Sequence, residues 1–279
     1  MKKRILALAL VLAVAAGVFT GCAKKEKKDD SGVTVKVGLT GTIYEEIWNP
    51  IKEDLKSEGI NIELVQFSDF SLPNNALNSG EIDLNAFQHH AYFNKDTESN
   101  GYKLTPIGDT FVIAMNIYSK KISDVKELKD GDTVAIPNDA SNGGRALKVL
   151  ESAGVISLKA DSTKNPEISD IEKYNVDIEL KEVEAANIPA LLPDVTAAVI
   201  NGNYALDFGI DPDKEAIFKE TEYEDDSYFC LIAVREEDKD NETYKKIVER
   251  FQSEETKNVF KDVFKGFFVP VWEKYGDMC

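Results

Sequence analysis

Residues 33–67 read VTVKVGLTGTIYEEIWNPIKEDLKSEGINIELVQF, and this stretch decides the fold class. Apolar and polar residues alternate over 33–39, which is typical of a half-buried strand, and INIELVQF at 60–67 predicts a second strand. Between them an apolar residue recurs every fourth position from Ile43 to Leu55, as on one helix face, and Gly59 is placed to end the helix. A strand, a helix and a strand in this order indicate a parallel sheet covered by helices.

The alternation of strands and helices continues along the chain. Further strands are predicted at 82–87, 110–118, 133–136, 196–200 and 228–234, and further helices at 145–153 and 242–252. Pro50 is expected to kink or split the first helix because it removes a backbone hydrogen bond. Since 279 residues exceed one usual domain, we predict two α/β lobes with a ligand cleft between them. The first lobe would comprise residues 33–117 and 225–279, and the second residues 118–224.

Composition argues against several classes of function. The chain has 33 Lys and Arg against 50 Asp and Glu, a net charge of −17, so it lacks the surplus of cations that nucleic-acid binding needs. Three cysteines and two adjacent histidines, His89 and His90, are too few for a disulfide scaffold or a histidine-rich metal site. Neither Gly-x-Ser-x-Gly nor His-Glu-x-x-His occurs. We therefore predict no catalytic residue, no metal and no cofactor, and a protein that is not an enzyme.

The N-terminus carries a targeting pattern. Three basic residues at 2–4 precede an apolar run at 5–19, which is short for a membrane span and fits a signal peptide at 1–21. Cys22 directly follows small residues, as in a bacterial lipobox, and the charged residues after it predict a solvated tether over 22–32. We predict that acylated Cys22 anchors the protein to the extracytoplasmic face of the cell membrane. A plain secretory signal, which would leave Cys22 unmodified, is the alternative.

Aromatic rings and imidazoles collect after the predicted strand at 82–87. Phe87, His89 and Tyr92 lie within six positions, and we call these three residues the 87–92 box. Its composition favours a ligand site in which rings enclose an apolar side chain. A core cluster and a metal site are the alternatives, and the divergent directions of adjacent histidines argue against the metal site.

A polar segment leads into the predicted helix at 145–153. Glycines and a capping residue, Ser141 or Asn142, would leave free N–H groups at the helix start, with Arg145 in the first turn. A cation there opposes the helix dipole, so we expect Asn142 and Arg145 to help bind an anion such as a ligand carboxylate. A surface Arg145 paired with Asp139 is the alternative.

Two further segments complete the candidate site. Asn201 and Asn203 follow the strand at 196–200, and their amides suit the amino and carboxylate groups of a zwitterion. An Asn-Gly turn is the alternative explanation of this pair. Met115 and Asn116 lie where the chain leaves the first lobe, and we include them as ligand-binding candidates. Open α/β sheets bind ligands at the carboxyl ends of strands, so these segments are expected to converge in the cleft.

Three blocks of the sequence carry a family resemblance. They read FSDFSLPNNALNSGEIDLNAFQHHAY at 67–92, YSKKISDVKELKDGDTVAIPNDASNGGRAL at 118–147 and AAVINGNYAL at 197–206. In this order they resemble the NlpA-type lipoproteins, the methionine-binding lipoproteins of bacterial ABC importers, and the resemblance extends over essentially the whole body after the tether. It implies a two-lobe periplasmic-binding-protein fold, type II-like, with the ligand cleft between the lobes.

The resemblance also implies a function and partners. The protein would be a monomer that binds a small molecule, methionine (L or D) or a close analogue, and delivers it to the permease of an ABC importer. Arg145 would hold the ligand carboxylate, Asn201 and Asn203 would assist at the polar end, and the 87–92 box would enclose the side chain. Another amino acid or a short Met-containing peptide is the alternative ligand, and an exported enzyme or a structural lipoprotein is the rival class.

Overall fold

The fold is given by a computed structural model, which describes residues 32–223 and 225–272. The predicted signal peptide, the acylation site Cys22 and Cys279 lie outside the described residues. The strands are β1 Val33–Thr40, β2 Ile60–Phe67, β3 Leu84–Asn85, β4 Leu104–Asp109, β5 Phe111–Ile113, β6 Asn116–Tyr118, β7 Thr133–Pro137, β8 Ile156–Leu158, β9 Ile171–Tyr174, β10 Glu179–Val183, β11 Ala197–Ile200, β12 Ala216–Phe218, β13 Leu231–Arg235 and β14 Phe268–Pro270. The α-helices are α1 Glu45–Ser57, α2 Pro73–Ser79, α3 His90–Asn100, α4 Ala140–Ser152, α5 Ile188–Leu191, α6 Gly202–Asp207, α7 Pro212–Glu215, α8 Glu242–Phe251 and α9 Glu254–Asp262. In these ranges no helix has the length and apolar character that crossing a membrane requires.

Two five-stranded sheets form the centres of two lobes. The strand order is β2-β1-β3-β13-β4 in the first sheet and β10-β7-β11-β6-β12 in the second. In the first sheet β1 is parallel to β2 and β3, whereas β13, which returns from the second lobe, is antiparallel to β3 and β4. The predicted α/β class is therefore confirmed. The lobe boundaries stay a prediction, and the boundary at 117/118 falls inside β6, a strand of the second sheet.

The first core shows how the opening stretch folds. Helix α1 buries Ile47, Trp48 and Ile51 against the first sheet, and Gly59, at φ +79°, follows its C-terminus as predicted. The helix is continuous across Pro50, so the chain is not split there. Pro50 lies in the second turn of α1, and the burial of the apolar face outweighs the hydrogen bond that the proline ring removes.

Two predicted strands differ from the observed ones. Only Leu84–Asn85 of the 82–87 run pairs as a strand. The 110–118 run is broken into β5, which pairs with β14, and β6, which pairs with β11 and β12 in the second sheet. Both halves of this run are buried and apolar, so hydrophobicity alone could not reveal that the chain changes lobes between them.

One side chain of the second lobe caps a helix of the first. Asp207, the last residue of α6, accepts hydrogen bonds from the Thr42 hydroxyl and the Ile43 N–H, both at 2.8 Å. These groups open the helical stretch that continues into α1. Gly41 precedes them at φ +110°, and a Cβ there would lie 2.2 Å from the Asp207 carboxylate. Glycine is therefore required for this approach of the two lobes.

Candidate functional site

A small cavity lies between the lobes, lined by residues of both. The first lobe contributes Tyr44, Phe70, Phe87, Gln88, His89, Tyr92, Ile113 and Cys230, and the second contributes Asn142, Arg145, Asn201, Gly202 and Asn203. The structure thus brings together every predicted ligand-binding residue except Met115 and Asn116.

One end of the cavity is aromatic. The Phe70 ring lies 5.9 Å from the rings of both Phe87 and Tyr92, and 4.7 Å from the ring of Tyr204. Tyr204 belongs to α6 of the second lobe, so Phe70 contacts both sides of the cleft. Rings in this arrangement can enclose an uncharged apolar chain and exclude water from it.

The polar end is organised around Asn142. Its Oδ1 accepts a hydrogen bond from Asn201 Nδ2 at 2.8 Å and lies 3.2 Å from His89 Nε2. The Tyr92 N–H donates to His89 Nδ1, so Nε2 carries the ring proton and donates to Asn142. Asn201 Oδ1 is buried and has no hydrogen-bond partner among the described residues. An acceptor left in this state is suited to a ligand donor.

His89 contributes polarity to the site without contributing charge. Burial, with the nearby positive charge of Arg145 as the next cause, lowers the pKa of His89 to about 3. The ring is therefore neutral at any pH near 7, and its hydrogen bond to Asn142 does not depend on protonation. Arg145 is then the charged side chain among the residues that line the cavity.

Arg145 is held by Glu220, a residue that the sequence did not indicate. Arg145 Nε donates to Glu220 Oε1 at 2.8 Å, and Nη2 donates to Oε2 at 2.6 Å and to the Ile113 carbonyl at 2.9 Å. The two side chains are only 3% and 8% exposed. Burial opposes the charge of Arg145, but the Glu220 carboxylate outweighs burial and raises the pKa of the guanidinium. The pair is a buried, bidentate ion pair.

The helix that carries Arg145 begins earlier than predicted. α4 starts at Ala140, and its N-cap is Asp139, which accepts the Asn142 N–H, instead of Ser141 or Asn142. Arg145 therefore lies in the second turn, and the prediction that it opposes the dipole in the first turn is wrong. The alternative of a surface pair with Asp139 is also wrong, because Arg145 is buried against Glu220.

The glycines that suggested a loop serve helix packing instead. A Cβ at Gly143 would lie 2.9 Å from the Pro137 carbonyl oxygen, and one at Gly144 would lie 2.9 Å from the Asn165 Cα. Both positions bring backbone close to α4, so the two glycines lie inside the helix despite their low helix propensity.

Comparison with known proteins identifies the family. The NlpA lipoprotein family model matches residues 35–272. The chain belongs to the NlpA lipoprotein family. A D-methionine-binding lipoprotein, MetQ from Salmonella typhi, is 40% identical over 255 residues, which are 90% of this chain and 92% of that protein.

Solved structures similar to this NlpA-family chain share its fold. A nutrient binding protein from Burkholderia cenocepacia bound to methionine is 40% identical, with a TM-score of 0.80 over 85% of this chain and 99% of the other. A periplasmic substrate-binding protein of an ABC transporter from Coxiella burnetii is 35% identical, with a TM-score of 0.80 over 85% and 100%. The predicted type II-like periplasmic-binding-protein fold, with its cleft between two lobes, is confirmed.

Met115 and Asn116 do not line the cavity of this NlpA-family protein. Met115 is buried in the second core, and its N–H donates to Glu220 Oε2 at 2.7 Å. Asn116 Oδ1 accepts the Glu220 N–H at 3.0 Å. Met115 therefore contacts Glu220 through its backbone and Asn116 through its side chain. They act on the site by holding Glu220, which in turn holds Arg145.

A network of buried amide side chains lies behind the 87–92 box, and the sequence did not predict it. Gln88 Nε2 donates to Asn74 Oδ1 at 2.7 Å and to Asn85 Oδ1 at 2.9 Å, and Asn74 Nδ2 donates to Gln88 Oε1 and to the Asp96 carboxylate, both at 2.8 Å. The network links α2, β3 and α3, and it fixes the backbone on both sides of Phe87. Asn and Gln residues in a polar stretch give no sequence signal that separates such a network from solvated side chains.

We expect Asn74→Ala to lower the free energy of unfolding by about 1–3 kcal/mol for each buried amide that loses its partner. Asn75 is exposed on the same helix, so Asn75→Ala is the matched control and should change stability by less than about 0.5 kcal/mol. Urea unfolding of the two variants measures the difference. Equal stabilities would mean that the network does not contribute to the fold.

Proposed function

We propose that this protein is the solute-binding lipoprotein of an ABC importer, and that it binds methionine (L or D) or a close analogue between its lobes. The observation that carries this proposal is a cavity with an aromatic end and a polar end, in which the cation Arg145 and the unpartnered acceptor Asn201 Oδ1 occur together. A D-methionine-binding relative and a similar structure bound to methionine support the choice of ligand.

The two ends of the site suggest how the ligand is oriented. Its carboxylate would bind the Arg145 guanidinium, which Glu220 and the Ile113 carbonyl hold through Nε and Nη2. Its ammonium group would donate to Asn201 Oδ1, and Asn203 would assist at the same end. The thioether would lie among the rings of the 87–92 box and Phe70, where sulfur–aromatic contacts are favourable.

The groups in the cavity favour binding over catalysis. Burial, the main cause, raises the pKa of the Cys230 thiol to about 12, so this cysteine is protonated and a poor nucleophile at neutral pH. The nearby His89 is neutral and its proton is directed to Asn142, which leaves it unsuited to activate a nucleophile. An exported enzyme is therefore the weaker candidate.

A ligand screen tests the proposed function. The protein is unfolded and refolded to remove any carried-over ligand, then titrated calorimetrically with both enantiomers of the amino acids and with Met-containing dipeptides. We expect methionine to bind, and at 100 times its dissociation constant to stabilise the fold by about 2.7 kcal/mol. Preference for an amino acid with a charged side chain, or binding of none of these compounds, would contradict the proposal.

Anchoring is tested separately from ligand binding. We propose that Cys22 is acylated, as its position after small residues and before a charged tether suggests. Cys22→Ala should move the protein from the membrane fraction to the soluble fraction of its host, while the binding of methionine stays unchanged. Cys230→Ala is the control that should leave the membrane fraction unchanged. A Cys22→Ala protein that remains membrane-bound would show that this cysteine is not the anchor.

A further inference from the structure

Glu220 lies behind the candidate ligand site and does not line it. Its carboxylate accepts hydrogen bonds from Arg145 Nε, Arg145 Nη2 and the Met115 N–H, at 2.8, 2.6 and 2.7 Å. Its own N–H is held by Asn116. The carboxylate is thus fixed in position by both its side-chain and main-chain contacts, and it fixes the plane of the guanidinium in turn.

This contact determines the fixed charge that a ligand meets. Arg145 is the charged side chain among the lining residues, and His89 is neutral. The Glu220 carboxylate cancels the charge of Arg145, so this buried pair adds no net charge to the site. In a buried site an uncompensated charge is strongly unfavourable. A ligand whose own charges also sum to zero fits such a site better than an anion or a cation.

We propose that Glu220 is a positioning residue that selects ligands of zero net charge, by orienting Arg145 and cancelling its charge. This assignment rests on the proposed amino-acid-binding function. It predicts that the site accepts a zwitterion and discriminates against the same molecule when either its ammonium or its carboxylate charge is removed.

Three ligands that differ by one charge test this assignment. N-acetylmethionine, methionine and methioninamide carry net charges of −1, 0 and +1 near neutral pH. In the parent protein methionine should bind most tightly. In Glu220→Gln the more negative ligands should gain affinity relative to the more positive ones. The ratio of the affinity for N-acetylmethionine to that for methionine, and the ratio of the affinity for methionine to that for methioninamide, should each rise by about 10- to 100-fold. This is the effect expected of a charge about 6–10 Å away at an effective dielectric constant of about 20.

The controls separate charge from structure. Glu220→Asp keeps the charge and should keep methionine as the preferred ligand, although with weaker binding. A purely structural role would weaken all three ligands by the same factor in Glu220→Gln, and that result would overturn the assignment. If Glu220→Gln does not fold, Glu220→Ser makes the same change of charge and leaves room for water beside Arg145. A parent protein that binds none of the three ligands would contradict the proposed function itself. If the parent binds methionine but Glu220→Gln shows the same charge dependence as the parent, only the role of Glu220 is contradicted.

Discussion

Arg145→Ala is expected to nearly abolish ligand binding and to destabilise the fold at the same time. Loss of a buried partner of the ligand carboxylate costs about 2–5 kcal/mol, or roughly 30- to several-thousand-fold in affinity. The same change leaves the Glu220 carboxylate, which is 8% exposed, without its cation. Breaking a buried ion pair in this way costs about 3–5 kcal/mol of stability.

Two further variants separate these effects. Adding Glu220→Gln to Arg145→Ala removes the unpaired carboxylate charge, so the double variant should regain stability without regaining ligand binding. Arg235 donates to the Leu77 and Ile82 carbonyls and does not line the cavity, so Arg235→Ala should destabilise the fold while leaving affinity nearly unchanged. Calorimetric titration and urea unfolding measure the two quantities. An Arg145→Ala protein whose affinity stays within tenfold of the parent would exclude Arg145 from the ligand site.

The second large effect is expected for Phe87→Ala. Phe87 is 4% exposed and lines the cavity, so its truncation should cost about 3–5 kcal/mol of stability and, by removing apolar contact with the ligand, about 10- to 100-fold in methionine affinity. Phe93 is also 4% exposed, but it packs in the core between α2, α3 and β13. Phe93→Ala should therefore cost similar stability with little effect on binding.

The comparison between these two phenylalanines is the decisive measurement. Both variants are titrated with methionine under conditions in which each is folded, and Phe→Leu at the same positions serves if either alanine variant unfolds. Equal affinity losses at Phe87 and Phe93 would show that Phe87 acts through stability alone. The aromatic end of the cavity would then not be where the ligand side chain binds.

Much of the fold could be predicted because its strands and helices repeat simple patterns. The alternation in β1, the apolar run of β2 and the fourfold spacing in α1 are local properties of the sequence, and each element was observed within a few residues of its predicted bounds. The break between β5 and β6 could not be predicted in this way. It depends on which strands are available for pairing, β14 on one side and β11 on the other, and that choice is made by the tertiary fold.

A site residue could be predicted when it had a suitable side chain and also followed a predicted strand. Asn201 and the 87–92 box met both conditions. Glu220 could not be singled out, since it is one of many acidic residues and the strand before it, β12, was not predicted; only its distance to Arg145 reveals its role. Phe70 left a usable signal, because it lies just after β2 at the same sheet edge as the box. The start of α4 was misplaced because Gly143 and Gly144 resemble a loop but lie inside the helix.

Because Asp207 contacts the start of the first helical stretch, hydrogen exchange at one backbone amide can report the opening of the cleft. The Ile43 amide is hydrogen-bonded to a carboxylate of the other lobe, so its proton is protected from solvent deuterium only while that carboxylate stays in place. Any separation of the lobes that withdraws Asp207 removes that bond without unfolding the helix. Exchange at this one backbone position should consequently follow the opening of the cleft, and ligand should slow it, with no label attached to the chain.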